Sequence, residues 1–215
     1  MSSHCIIAID GPAASGKSSV ALALAQQLGF SYVNSGAMYR AVTWYILQRN
    51  LDVHEPGAVV ATVEQSKIVC ELIDNQSRIL IDDYDPTPHL RDDNVNRAVS
   101  IVSSIPRVRQ ILVPRMRECA KARNVVMEGR DIGSVVFPET PFKFYIDASP
   151  DVRIQRRRAE GQCDEIAARD RADSSRATSP LVVAPDAEVI DTSTLTIDGV
   201  VNEIVRRLKR KGLPI

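Results

Sequence analysis

Residues 6–18 read Ile-Ile-Ala-Ile-Asp-Gly-Pro-Ala-Ala-Ser-Gly-Lys-Ser, an apolar run followed by the spacing Gly11, four residues, Gly16, Lys17, Ser18. This is the pattern of a phosphate-binding loop, and its surroundings agree: a buried strand before it and a helix after it. A loop that wraps a polyphosphate aims several backbone N–H groups inward, so glycines stand where a Cβ would obstruct the approach. From Lys17 to Leu28 the chain is rich in Ala, Leu and Val at helical spacing and stops at Gly29. The loop therefore delivers phosphates to a helix N-terminus, where unpaired amides and the dipole favour anions. In that arrangement Gly11, Pro12, Ala13, Ala14, Ser15, Gly16, Lys17, Ser18 and Ser19 hold a nucleoside triphosphate, Lys17 reaches the β/γ-phosphates and Ser18 a magnesium ion.

At 215 residues with 44% hydrophobic and 25% charged residues, the chain suits one sizeable core with a small appended lobe. Its formal net charge of zero argues against a nucleic-acid or membrane-surface binder. Positive charge is carried by 21 Arg against 6 Lys, a bias compatible with gripping several phosphates. Cys5, Cys70, Cys119 and Cys163 are far apart, with no CxxC pair, which argues against a metal site and against a disulfide framework. Met1-Ser2-Ser3-His4 opens no signal sequence, and no apolar run approaches membrane-spanning length, so a reducing, cytoplasmic setting is expected.

Strand and helix patterns alternate: strands over 31–34, 125–127, 142–147 and 188–191, with helices over 35–49, 58–65, 95–103, 106–123, from Ser149, 164–172 and 196–211. Two β-rich runs, 67–73 and 78–81, split by Asp74-Asn75-Gln76-Ser77, read as an antiparallel hairpin and hence an insertion. The aspartates at 82, 83, 85, 92 and 93 lack calcium-loop spacing and read as solvated surface. A parallel α/β sheet follows, with ligands at the carboxyl ends of its strands, where the polar loop Glu128-Gly129-Arg130-Asp131 also sits.

A phosphate loop serves several classes. No Asn-Lys-x-Asp guanine-reading motif is present, and Val125-Val126-Met127-Glu128 only partly matches the strand of a motor or helicase ATPase. A short chain with a hairpin insertion and an arginine-rich late helix (Arg153, Arg156, Arg157, Arg158) fits a small-metabolite kinase better. Transfer to an acceptor that is already anionic needs no strong base; it needs cations that bring anions together, and water excluded from the reacting group.

The segments GPAASGKS, SGAMYRA at 35–41, PRVR at 106–109, GRDIGSVVFP at 129–138 and RDRADSSRATSPL at 169–181 resemble, in order, the bacterial cytidylate kinases of the nucleoside monophosphate kinase group. The resemblance runs from about 6 to about 208. It implies an α/β, three-layer phosphate-loop fold with a five-stranded parallel sheet. Within the single kinase domain, 1–215, it implies a nucleoside-monophosphate-binding insert over about 62–94 and a short lid over about 153–169. It implies transfer of the ATP γ-phosphoryl group to CMP or dCMP, with Mg2+. No self-complementary apolar stripe is evident, so a monomer is expected, and the zero net charge predicts no nucleic-acid or membrane partner. Residue by residue, it places Ser35, Tyr39, Arg40 and Arg130 at the CMP phosphate and sugar, and Ser100, Arg109, Asp131 and Arg176 at the cytosine edge. Asp173 is placed at the ribose, Arg169 between donor and acceptor, and Arg153, Arg156 and Arg157 in the lid; Arg158 does not fall on the pattern. Lys17, Arg130, Arg153, Arg157 and Arg169 form the catalytic set.

The proposed reading of cytosine makes chemical sense: an arginine donates to O2 and N3, and a carboxylate accepts from the N4 amine, a pattern that uracil reverses. The chain departs from the family where aspartate is usual, at Asn34 and Glu128, and only eleven residues separate Arg157 from Arg169. Two alternatives stay open: a kinase for another small acceptor such as UMP, and a nucleotide-binding switch with decayed activity.

Overall fold

The computed structural model describes residues 4–159, 161 and 166–215. Met1-Ser2-Ser3, Cys163, Asp164 and part of the expected lid lie outside the described residues. The chain divides into two compact units, Met1–Val33 with Ala122–Ile215, and Asn34–Lys121.

The first unit is built around β1 (Ile6–Asp10), with β5 (Val125–Gly129) and β6 (Phe142–Asp147) on either side, both parallel to it. Beyond β6 lies β7 (Glu188–Asp191), also parallel, and beside β5 lies β2 (Ser31–Asn34). A strand parallel to both neighbours and covered on its faces reads as a near-continuous apolar run, and Ile7, Ala8 and Ile9 are fully buried. One face is covered by α1 (Lys17–Leu28) and α8 (Ile197–Arg210). On α8, Val200, Val201, Ile204 and Leu208 fall on a single stripe and pack with Val20, Leu24, Ile7 and Phe144. Thr196 caps α8 by accepting from the Gly199 amide at 3.1 Å. The helices α6 (Pro150–Ala159) and α7 (Ile166–Ser174) complete this unit.

The second unit holds α2 (Ser35–Gln48), α3 (Pro56–Gln65), β3 (Ile68–Ile73), β4 (Gln76–Ile81), α4 (Asp93–Ser104) and α5 (Pro106–Cys119). The strands β3 and β4 pair antiparallel across their whole length, Ile68 opposite Ile81 and Ile73 opposite Gln76. Asp74 and Asn75, at φ 49° and 59°, make the turn, as two-residue hairpin connections require. The helices α2, α4 and α5 pack on one another, and α2 and α5 also pack on the hairpin.

Three expectations are corrected. The described residues hold seven strands, not five, because the hairpin contributes two fully registered six-residue strands in addition to the other five. The strand β5 runs on through Glu128 and Gly129, which the sequence places in a polar loop, because both are in register with β1. Cys70 and Cys119 form a disulfide, with Cα atoms 5.7 Å apart. Their separation of 49 residues conceals the packing of β3 against α5 that brings them together.

Candidate active site

The chain between β1 and α1 has the shape its glycines permit. A Cβ on Gly11 would lie 2.1 Å from the Ile146 carbonyl oxygen, so only glycine fits there. Gly16 has φ +89°, in the left-handed region, and lets the chain turn directly into α1. Lys17 Nζ donates to the Pro12 carbonyl at 3.0 Å, curling the side chain back over the loop. Burial first, and then the Arg130 charge, pull the Lys17 ammonium down to about 7, against the pull of Glu128.

Several side chains grip the loop from α6 and α7. The Ala13 amide donates to Asp170 Oδ1 at 3.0 Å, and Arg153, ion-paired with Asp170, donates to the Ala13 carbonyl at 3.1 Å. Arg156 donates to the Ser15 carbonyl at 3.1 Å and to Thr192 Oγ1 at 3.0 Å, so this lid-pattern arginine braces the loop backbone. Arg157 and Arg169 are half-buried on α6 and α7, while Arg158 is exposed. Ser15 Oγ is buried and has no hydrogen-bond partner among the described residues, a hydroxyl suited to a phosphate oxygen. Ser19 is exposed on the first turn of α1.

Ser18 Oγ donates to Glu128 Oε1 at 2.8 Å, and Tyr32 donates to the same oxygen at 3.3 Å. A hydroxyl and a carboxylate side by side at the phosphate loop are hard oxygen donors of the kind that would suit magnesium. No group of three or more His, Cys, Asp or Glu that could hold a metal exists among the described residues. The longer glutamate at position 128 therefore reaches Ser18.

At the end of β5, Asp173 joins two arginines: Arg130 Nε donates to Oδ2 at 2.9 Å, and Arg176 is ion-paired with Oδ1. Burial works to raise the Asp173 carboxyl, but the charges of Arg130 and Arg176 outweigh it and hold the group below the usual carboxylate range. Asp131 is buried and leads into a π-helical turn over Ile132–Val136. The next two amides, of Ile132 and Gly133, each donate at 2.8 Å to Asp10. Burial pushes the Asp10 carboxyl up to about 7, against those two amides and Arg130. Asp10 and Asp170 carry no role in the sequence reading; Asp10 stands inside the motif as one more residue of a strand.

The remaining expected residues belong to the second unit. Ser35 opens α2 and is buried. The Arg109 guanidinium lies 5.1 Å from the centre of the Tyr39 ring and donates to the Ser103 carbonyl at 3.0 Å, so the structure brings Tyr39 and Arg109 together. Arg40 donates to the Leu90 carbonyl at 2.8 Å and to Asn96 Oδ1 at 2.6 Å. Ser100 is half-buried on α4. Asn34 accepts from the Ala37 amide at 3.0 Å, capping α2 where the family usually has aspartate.

A parallel sheet carrying a glycine-shaped phosphate loop, with two arginines held by one carboxylate at the end of the neighbouring strand, defines a phosphate-loop nucleotide kinase. The cytidylate kinase family model matches residues 7–210. A cytidylate kinase of Desulforamulus reducens is 43% identical over 216 residues, covering 95% of this chain and 97% of that one. Cytidylate kinases of Caldanaerobacter subterraneus and Enterococcus faecalis are each 41% identical, the first covering 95% of this chain and 94% of the relative. The second covers 97% of both. The chain belongs to the cytidylate kinase family.

Proposed function

We propose that this protein transfers the γ-phosphoryl group of ATP directly to CMP or dCMP, giving ADP and CDP or dCDP. The observation that carries this reading is the family match across nearly the whole chain, residues 7–210. The site geometry supports it. The loop amides, Ser15 Oγ and Lys17 are suited to hold and neutralise the donor phosphates, Lys17 exchanging the Pro12 carbonyl for a phosphate oxygen. Ser18 and Glu128 would hold magnesium, which offsets charge on the β- and γ-oxygens when bound.

For the acceptor, Ser35, Tyr39, Arg40 and Arg130 bind phosphate and sugar, Asp173 the ribose, and Ser100, Arg109, Asp131 and Arg176 the base. Asp131 accepts from the cytosine N4 amine and disfavours uracil. Arg153, Arg157 and Arg169 act on the transferring group from a lid over about 153–169, which closes to exclude water. The insert over about 62–94 serves the acceptor. The protein works as a monomer without nucleic-acid or membrane partners. No helix among the described residues is long and apolar enough to cross a membrane.

The test is ADP formation from ATP and magnesium with CMP, dCMP, UMP, AMP or no acceptor. Turnover with CMP and dCMP well above the others is expected. Dominant turnover of UMP would overturn the role of Asp131, and no stimulation by any monophosphate would overturn the kinase reading.

A further inference from the structure

Asp10 occupies the last position of β1, where the buried run Ile7-Ala8-Ile9 would continue most cheaply with another aliphatic residue. Instead a carboxylate is buried there, 6% exposed, and both of its oxygens are engaged across the sheet. Ile132 N–H donates to Oδ1 and Gly133 N–H to Oδ2, each at 2.8 Å. These amides open the π-helical turn, and the opening amides of any helical turn lack a partner inside it. Asp131, at φ −147° and ψ 26°, bends the chain out of β5, and its carbonyl accepts from the Val135 and Val136 amides at 2.9 and 3.1 Å. The main chain of Asp131 is thus clamped on both sides: by its own turn through the carbonyl, and by Asp10 through the next two amides.

We propose that Asp10 is a positioning residue for reading the acceptor base: by capping the turn after β5 it fixes the direction in which Asp131 leaves the strand. The inference rests on CMP as the acceptor. A second side chain defines the same spot. A Cβ on Gly133 would meet Lys143 Cγ and Cδ at 3.1 Å and Asp10 Oδ2 at 3.4 Å. Lys143 has little room to yield, because its Nζ donates to the Pro138 carbonyl at 2.6 Å and to both oxygens of Asp186. Adding that methyl group therefore presses on the cap between Lys143 and Asp10 Oδ2.

Asp10→Asn keeps the shape but turns one oxygen into an N–H donor facing an amide donor. The expected result is a KM for CMP raised about tenfold and a kcat/KM preference for CMP over UMP lowered by about the same factor, one buried acceptor being lost. The KM for ATP should stay within about twofold, since the donor loop keeps its own contacts. Gly133→Ala should reproduce the selective effect. Both variants are checked for a cooperative unfolding transition above the assay temperature, and exchange of the Ile132 and Gly133 amides should quicken in Asp10→Asn. The inference is overturned if folded Asp10→Asn keeps the wild-type preference for CMP over UMP, or if the KM values for ATP and CMP rise together with that preference unchanged. It is also overturned if both variants fail to fold, since Asp10 would then serve stability alone. A wild-type enzyme indifferent to CMP would instead bring down the proposed acceptor, and the inference with it.

Discussion

Lys17 donates to the Pro12 carbonyl and is buried, and its proton affinity is pulled down to about 7. A polyphosphate beside it favours the charged form, so the proton affinity must rise on binding. The sign follows: above pH 7 the free lysine is largely neutral, ATP binding takes up a proton, and affinity falls as pH rises. At pH 8 the uptake should approach one proton per ATP, with affinity dropping about tenfold for each further unit. Calorimetric titration in buffers of different ionisation enthalpy measures it directly. A binding enthalpy independent of buffer would mean that Lys17 is already protonated, with its charge intact in the loop.

At the scale of elements, Asn34 shows what a departure from the family pattern preserves. Its Oδ1 caps α2 through the Ala37 amide, a task that asparagine and aspartate perform about equally well. Asn34→Ala should cost about 1 kcal/mol and lower the thermal unfolding midpoint by a few degrees, whereas Asn34→Asp should leave it nearly unchanged. Calorimetric unfolding of the two variants distinguishes a cap from a bystander. Much of this level was legible in the sequence, because it is local. The phosphate loop, the strand over 31–34, the last strand over 188–191 and Thr196 as a helix cap are set by neighbours in the chain. The end of β5 was not legible, since glutamate and glycine are poor strand formers and only their register with Ile9 and Asp10 keeps them there. The carboxylate cap on the Ile132 and Gly133 amides escaped for a related reason: more than a hundred residues separate donor from acceptor.

For the molecule as a whole, the disulfide belongs entirely to the unit over 34–121, where it ties β3 to α5. Closing a loop across 49 residues restrains the unfolded chain by about 3–4 kcal/mol. Reduction, or Cys70→Ser, should therefore lower the urea midpoint of the second unit and leave the first at its former value. Tyrosine and tryptophan fluorescence of the second unit, whose Trp44 is the chain's single tryptophan, would report it. An unchanged midpoint would mean that the bridge contributes nothing to the fold. Cysteine spacing alone gave no hint of the pair, because spacing describes the chain and pairing depends on which surfaces pack.

The pairing of β1 also bears on how the protein is made. Ile6 and Ile7 leave the ribosome more than a hundred residues before their partners Val125 and Phe142. At translation rates of about 5–20 residues per second, the nascent phosphate loop waits several seconds beside an unpartnered apolar strand. The contiguous stretch 34–121 meets no such delay. Synthesis therefore passes through an interval in which the nascent chain offers a hydrophobic segment to chaperones, and for β1 that interval ends when β6 arrives.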